Sequence, residues 1–183
     1  MLLASQNLTR YMQMDDSTVL RINLAWVEDL SALDSLISRY PNDIFIDLPI
    51  GRTKPPNNTY DVKDLNKIIK SHKNVKYIAI SNVESPSSIN KYYNVFGKDI
   101  CLVPKIESKK GIDNIDKICS VLRDKRIIML DHDDLFSDLV AKSISPSSFM
   151  NYIETLENFC LKNGVDLLKT RGVLFSDSDK YNF

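Results

Sequence analysis

Six short, almost wholly apolar runs punctuate the chain, and between them apolar residues recur every three or four positions. The runs cover 18–24, 43–48, 76–81, 99–105, 126–131 and 165–170. Continuous apolar runs of this length read as strands buried on both faces, as in a parallel sheet covered by helices. The intervening stretches have the helical period. Val27, Leu30, Leu33, Leu36 and Ile37 share one face, as do Val62, Leu65, Ile68 and Ile69. Ser85-Pro86 opens a third helix, with a capping serine before a proline at the first helical position. That helix buries Ile89, Tyr93 and Phe96 and stops at Gly97. Ile112, Ile115, Ile118, Cys119 and Leu122 mark a fourth. Ser147 or Ser148 caps the last long one, whose stripe is Phe149, Ile153, Leu156 and Phe159, ending near Gly164. Residues 1–14 read as helical from Leu2, Leu3, Leu8, Tyr11 and Met12 and supply no first strand, while 176–183 is too polar for a last one.

Repeated strand–helix units predict an α/β fold with parallel strands and right-handed crossovers. With only five glycines, no Gly-rich loop follows a strand, which argues against an open nucleotide-binding sheet. A full eight-stranded barrel usually takes about 200 residues or more. The 183 residues therefore predict a single domain, 1–183, built as an abridged TIM-barrel-like (β/α) repeat of about six to eight parallel strands. An unclosed barrel leaves strand edges bare, which proteins rarely tolerate. A homodimer, or a partner chain covering those edges, is the expectation.

Charge narrows the function classes. Twenty-four basic residues balance twenty-four acidic ones, so no global field points to nucleic acid or to an anionic membrane. Cys101, Cys119 and Cys160 are odd in number and set in apolar surroundings, and they read as buried thiols of a reducing compartment. Met1-Leu2-Leu3-Ala4 is too short for a signal peptide and no run reaches membrane-spanning length, so a cytoplasmic protein is expected.

Candidate chemistry sits where the runs end. Lys105-Ile106-Glu107 closes one strand and Asp134 follows another. Parallel α/β folds gather their chemistry at the carboxyl ends of strands, so two carboxylates and an amine are expected at one rim. Hard divalent cations take carboxylate oxygens, and a neighbouring ammonium suits an anionic substrate or an enolate. Lys105 and Glu107 point to one side of their strand, and so do Arg21 and Asn23. Each has a plainer reading: Asp134 as a helix start, Arg21 paired internally with Asp47, Lys105 as a surface lysine. Asp131 and Asp133 add negative charge beside the metal position, and Asp133, if it points inward, repels a triply charged substrate. Trp26 is placed at the mouth of the site, His132 in an exposed loop, and His72 as a solvated helix end.

Several of these pieces, in order, resemble pyruvate kinase and the wider phosphoenolpyruvate/pyruvate barrels. Arg21-Ile22-Asn23-Leu24 is similar to the Arg-x-Asn-Phe strand, and Asp47-Leu48-Pro49 with Gly51-Arg52-Thr53 to the Asp-Leu-Pro…Arg-Thr turn. Tyr77 to Val83 resembles the Ile-Ala-x-Ser-Phe-Val strand; Pro104-Lys105-Ile106-Glu107 with Gly111 to Asp116, then Ile128 to Leu135, complete the series. The resemblance implies Glu107 and Asp134 as ligands of Mg²⁺ or Mn²⁺, and Lys105 over the reacting oxygen. It implies Arg21, Asn23, Asp47 and Thr170 as substrate-binding residues, with K⁺ beside Asn23 and Asp47. The ligand implied is a small anionic 2-oxo acid or its enol phosphate. Asp134-Leu135-Phe136-Ser137-Asp138-Leu139 is similar to a motif of the aldolases and citrate-lyase-like members, which makes carbon–carbon lyase chemistry the alternative. The lid between Lys54 and Tyr60 and the carboxy-terminal domain are missing, and His132-Asp133 stands where the family has Arg-Gly. Those losses leave a third possibility, a non-catalytic binding or assembly protein on the same scaffold.

Overall fold

In the computed structural model, which describes residues 1–10, 14–52, 55–123 and 125–169, seven parallel strands form one curled, half-barrel sheet in strictly sequential order. The strands are β1 (Leu3–Ser5), β2 (Val19–Asn23), β3 (Ile44–Leu48), β4 (Val75–Ile80), β5 (Cys101–Ile106), β6 (Ile127–Leu130) and β7 (Asp166–Lys169). Helices return the chain between strands: α1 (Leu30–Ser38), α2 (Val62–Ser71), α3 (Pro86–Phe96), α4 (Lys109–Asp113) with α5 (Ile115–Ser120), then α6 (His132–Ala141) and α7 (Phe149–Asn163). This is the expected abridged barrel. Among the described residues β1 and β7 are its two edges.

Alternation along the strands explains why the runs look uniformly apolar. Leu20, Ile22, Ile44, Ile46, Ile78, Ile80, Leu102, Ile106, Ile128 and Leu130 pack outward against the helices, on Leu33, Ile37, Leu65, Ile89, Ile118, Leu135 and Leu156. Inward positions form a second, smaller cluster of Val19, Phe45, Tyr77, Ala79, Val103, Ile127 and Met129. Removing each fully buried Leu or Ile from water contributes about 2 kcal/mol, so the outer layer dominates stability. Toward the carboxyl ends the same inward positions turn polar: Asn23, Asp47, Ser81, Lys105, Glu107 and Asp131. The period of two therefore carries a functional boundary inside apolar runs.

Four local expectations are corrected. A strand, not a helix, opens the chain: Val19 N–H bonds the Leu2 carbonyl and Leu3–Ser5 pairs with 19–21. Pairing with an already formed β2 overrides the local helical spacing, and only Gln6–Arg10 turns, as a 3₁₀ segment. The fourth helix breaks into two at Asn114, which stands at φ −108°, ψ 16° and whose side-chain amide donates to the Glu84 and Lys110 carbonyls. Ser85 and Ser148 hold the N-cap positions of α3 and α7 but do not cap with their side chains; Ser85 instead meets the Ser87 and Ser88 hydroxyls. His72 does end α2, but its ring is mostly buried against Asp34 at 2.7 Å and is not solvated.

Cys119 and Cys160 are buried as expected, whereas Cys101 is half-exposed on the inner face. Among the described residues no helix is long and apolar enough to cross a membrane.

Candidate functional site

A cavity of about 240 Å³ opens at the carboxyl ends of β2 to β5, lined by Asn23, Asp47, Ser81, Lys105, Glu107 and Asp134 among others. Lys105 is its centre. Strand β5 ends with Lys105 and Ile106, so the lysine faces inward while Ile106 locks into the helical layer. Its ammonium lies 2.7 Å from Glu107 Oε1, 3.5 Å from Asp47 Oδ1, 3.7 Å from Asp131 Oδ2 and 3.4 Å from the Ser81 hydroxyl. The Lys105 and Glu107 side chains are only 7% and 3% exposed. Burial works against the lysine's charge, but Asp47, Glu107 and Asp131 together outweigh it and hold its pKa above the ordinary value. Lys105 is therefore a cation at neutral pH, a donor and not a base. For Glu107 burial wins, and its pKa too stands above the ordinary value. Burial pushes its carboxyl up by more than Lys105 and the Asn82 amide pull it down.

Glu107 is oriented from both sides. Its second oxygen accepts the Asn82 backbone N–H at 2.6 Å. Asn82 sits at φ 55°, in the left-handed region that asparagine tolerates better than most residues, and its side chain holds the Ile50 carbonyl at 2.5 Å. The loop after β3 is thereby tied to the site. Beneath it, α4 starts close to the sheet because position 111 is glycine: a Cβ there would lie 3.0 Å from the Val83 carbonyl oxygen and 3.3 Å from Ile106. The Ser108 hydroxyl accepts Gly111 N–H, capping α4, and donates to Glu84 at 2.8 Å.

The second acidic arm comes from the turn after β6. Asp131 caps α6 by accepting the Asp134 N–H at 3.3 Å. Glu107, Asp131 and Asp134 each offer a carboxylate oxygen, all within 4.8 Å of one another. Three oxygen donors of this kind match the needs of a hard divalent cation, with further positions left for water or substrate. Glu107 Oε1 faces Lys105 and Oε2 accepts the Asn82 N–H, so either oxygen would have to share such a cation with a hydrogen bond.

The structure thus brings Lys105, Glu107, Asp134, Asn23 and Asp47 to one rim. Arg21 stands behind Asp47, to which it donates from both Nε and Nη2, and it is absent from the cavity wall. The plainer expectation for Arg21, an internal pair, is what the coordinates display. Asn23 uses its side-chain oxygen to cap the 3₁₀ turn Leu24–Trp26. Thr170 lies outside the described residues. Asp133 is exposed on α6 and does not point inward; Asp131 supplies the extra charge instead. Trp26 is 63% exposed and absent from the cavity wall. His132 is the first residue of α6, half-buried against the Phe149 ring, and not a loop residue. Ser81 and Asn82 were not among the expected site residues. The polar step from Ile80 to Ser81, in phase with Asp47 and Lys105, was the available signal for Ser81, while nothing local marks the backbone N–H of Asn82.

A second cavity, of about 290 Å³, lies at the opposite end of the strands, lined by Lys76, Tyr77, Tyr93, Lys98, Arg123 and Lys125 among others. Two of its cations have structural work: Arg123 lies 4.1 Å from the Tyr93 ring centre and Lys125 donates to the Tyr77 hydroxyl at 3.3 Å.

No family model matches the chain, and no curated protein matches it significantly.

Proposed function

We propose that the rim binds a divalent cation, Mg²⁺ or Mn²⁺, and stabilises the enolate of a small 2-oxo acid or of its enol phosphate. The observation that carries this reading is the convergence of Glu107, Asp131 and Asp134 around a buried, protonated Lys105 in an open cavity. Glu107 and Asp134 are the ligands of choice, with Asp131 able to join them. A divalent ion bound there supplies Lewis-acid polarisation of the keto oxygen.

The chain's own residues do the rest. Lys105 presents an N–H donor toward the oxygen on which negative charge develops, held in place beforehand by its buried partners. Ser81 and Asp47 fix that ammonium in place. Arg21 orients Asp47 from behind, away from the cavity wall. Asn82 and Gly51 position the loop that closes one side of the cavity. Carbon–carbon cleavage by a lyase and proton exchange share this enolate with phosphoryl transfer.

The competing reading is a binding or assembly protein whose polar centre is purely structural. The 2.7 Å Lys105–Glu107 pair favours it, since each group already satisfies the other. Exchange of the methyl protons of pyruvate in D₂O, followed by ¹H NMR with and without Mg²⁺, separates the two. Metal-dependent exchange that disappears in Lys105→Met is expected. Exchange no faster than in buffer would leave only the binding protein.

A further inference from the structure

The charges around the rim also bear on which ligand it takes, an inference that rests on the enolate reading above. Four carboxylates that line the cavity each hold a cation, of which only Lys105 lines it as well: Asp47 holds Arg21, Glu107 holds Lys105 at 2.7 Å, Glu84 holds Lys110 at 3.0 Å, and Asp138 holds Lys142 at 2.7 Å. Two carboxylates remain. Asp134 makes no ion pair among the described residues, and the nearest cation to Asp131 is Lys105 at 3.7 Å, already engaged by Glu107. On the positive side, Arg52 lines the cavity, donates Nε–H to the Pro56 carbonyl at 2.7 Å, and faces no carboxylate within ion-pair distance among the described residues.

A divalent cation held by these acids cancels Asp131 and Asp134, and among the described residues the one positive charge left over at the cavity is that of Arg52. This matches a single carboxylate. A phosphoryl group adds about −1.5 to −2 of charge at neutral pH, for which no cation remains among the described residues, and Asp131 already faces the ammonium that such a group would need. We propose that the site selects an unphosphorylated 2-oxo monocarboxylate, rejects the corresponding enol phosphate, and owes this choice to Asp131.

Asp131 can be tested without losing the fold, because asparagine caps a helix as well as aspartate does. Pyruvate and phosphoenolpyruvate are titrated calorimetrically, with Mg²⁺ saturating, into the wild type, Asp131→Asn and Asp133→Asn. The last makes the same charge change on the exposed side of α6. In the wild type, phosphoenolpyruvate should bind at least about tenfold more weakly than pyruvate, like charges in contact being this costly. Asp131→Asn should narrow the gap to roughly threefold or less, and Asp133→Asn should leave it unchanged. Equal or tighter binding of phosphoenolpyruvate by the wild type overturns the selection and leaves the enolate site standing. A gap that survives in Asp131→Asn, or closes equally in Asp133→Asn, removes Asp131 from the role. Failure of both ligands and of Mg²⁺ itself to bind overturns this inference together with the reading beneath it. Should Asp131→Asn not fold, the wild-type ratio alone still decides the selection.

Discussion

Replacing Lys105 by methionine, which keeps the length of the side chain and removes its charge, probes the polar centre directly. Breaking a buried ion pair from one side costs about 3–5 kcal/mol, because the partner is left charged and dry. Here the loss is uneven. Asp47 keeps Arg21, and Asp131 is 26% exposed and can turn to water. The cost falls on Glu107, whose side chain is 3% exposed and retains only the Asn82 N–H. The low end of the range, about 3 kcal/mol, is therefore expected, or roughly 6–12 °C in Tm for a chain of this size. Changing Glu107 to glutamine as well should restore much of it, since the amide oxygen still accepts from Asn82 and no charge is stranded. Urea unfolding of the wild type, both single variants and the double variant gives the coupling, expected at about 2 kcal/mol. The penalty of Lys105→Met should also shrink as the pH falls, because burial already favours the protonated Glu107 and the orphaned carboxyl then takes up a proton. A Lys105→Met variant within about 1 kcal/mol of wild type, or strictly additive effects, would refute the geometry.

Other consequences are independent of the site's function. Tyr60 donates to the Leu24 and Val27 carbonyls, and burial, with Asp29 nearby, raises its hydroxyl to about 12. Its folded-state pKa lies above the unfolded value, as does that of Lys105, so their contributions hold below about pH 10 and fade as the pH rises through the folded values. Stability measured by urea unfolding should fall steeply across that alkaline range, and Tyr60→Phe should flatten part of the fall; a flat profile in the wild type contradicts the assignment. Burial lifts the Cys119 thiol to about 11 and the Cys160 thiol to about 12, so neither should react with a thiol reagent at pH 8 until the chain unfolds. Native-state labelling at either, read by mass spectrometry, would contradict their burial. Among the described residues β1 and β7 carry no outer partner strand, which predicts association, and sedimentation equilibrium at micromolar concentration should return a mass above 20.9 kDa; a clean monomer would show that the edges are covered some other way.

The chain wrote its fold plainly where burial was two-sided. The runs 18–24, 43–48 and 99–105 needed both faces apolar over most of their length, and that pattern survives in any reading of the residues. It was illegible where pairing decides: Leu3–Ser5 is a strand only because β2 lies alongside it, and its own residues favour a turn of helix. The site divides in the same way. Lys105 and Glu107 announced themselves as charged residues closing an apolar run, in phase along one strand. Asp131 was harder to place, being both the cap of α6 and a neighbour of Lys105, and only distance separates it from Asp133 two residues on. Arg21 carried two meanings, and the position of Asp47 on the adjacent strand resolves them in favour of the internal pair. The role of Asn82 depends on a backbone angle, which no pattern of side chains discloses.

Whether the rim grips a cation is the question on which the chemistry turns. Titrating Mn²⁺ into the protein while following the free-ion electron paramagnetic resonance signal answers it without any substrate. One ion bound per chain is expected, lost or weakened at least about tenfold in Glu107→Gln and in Asp134→Asn, and unaffected by Asp133→Asn. No binding, or binding indifferent to Glu107 and Asp134, would contradict the metal-dependent site and leave Lys105 and its acids as a structural core.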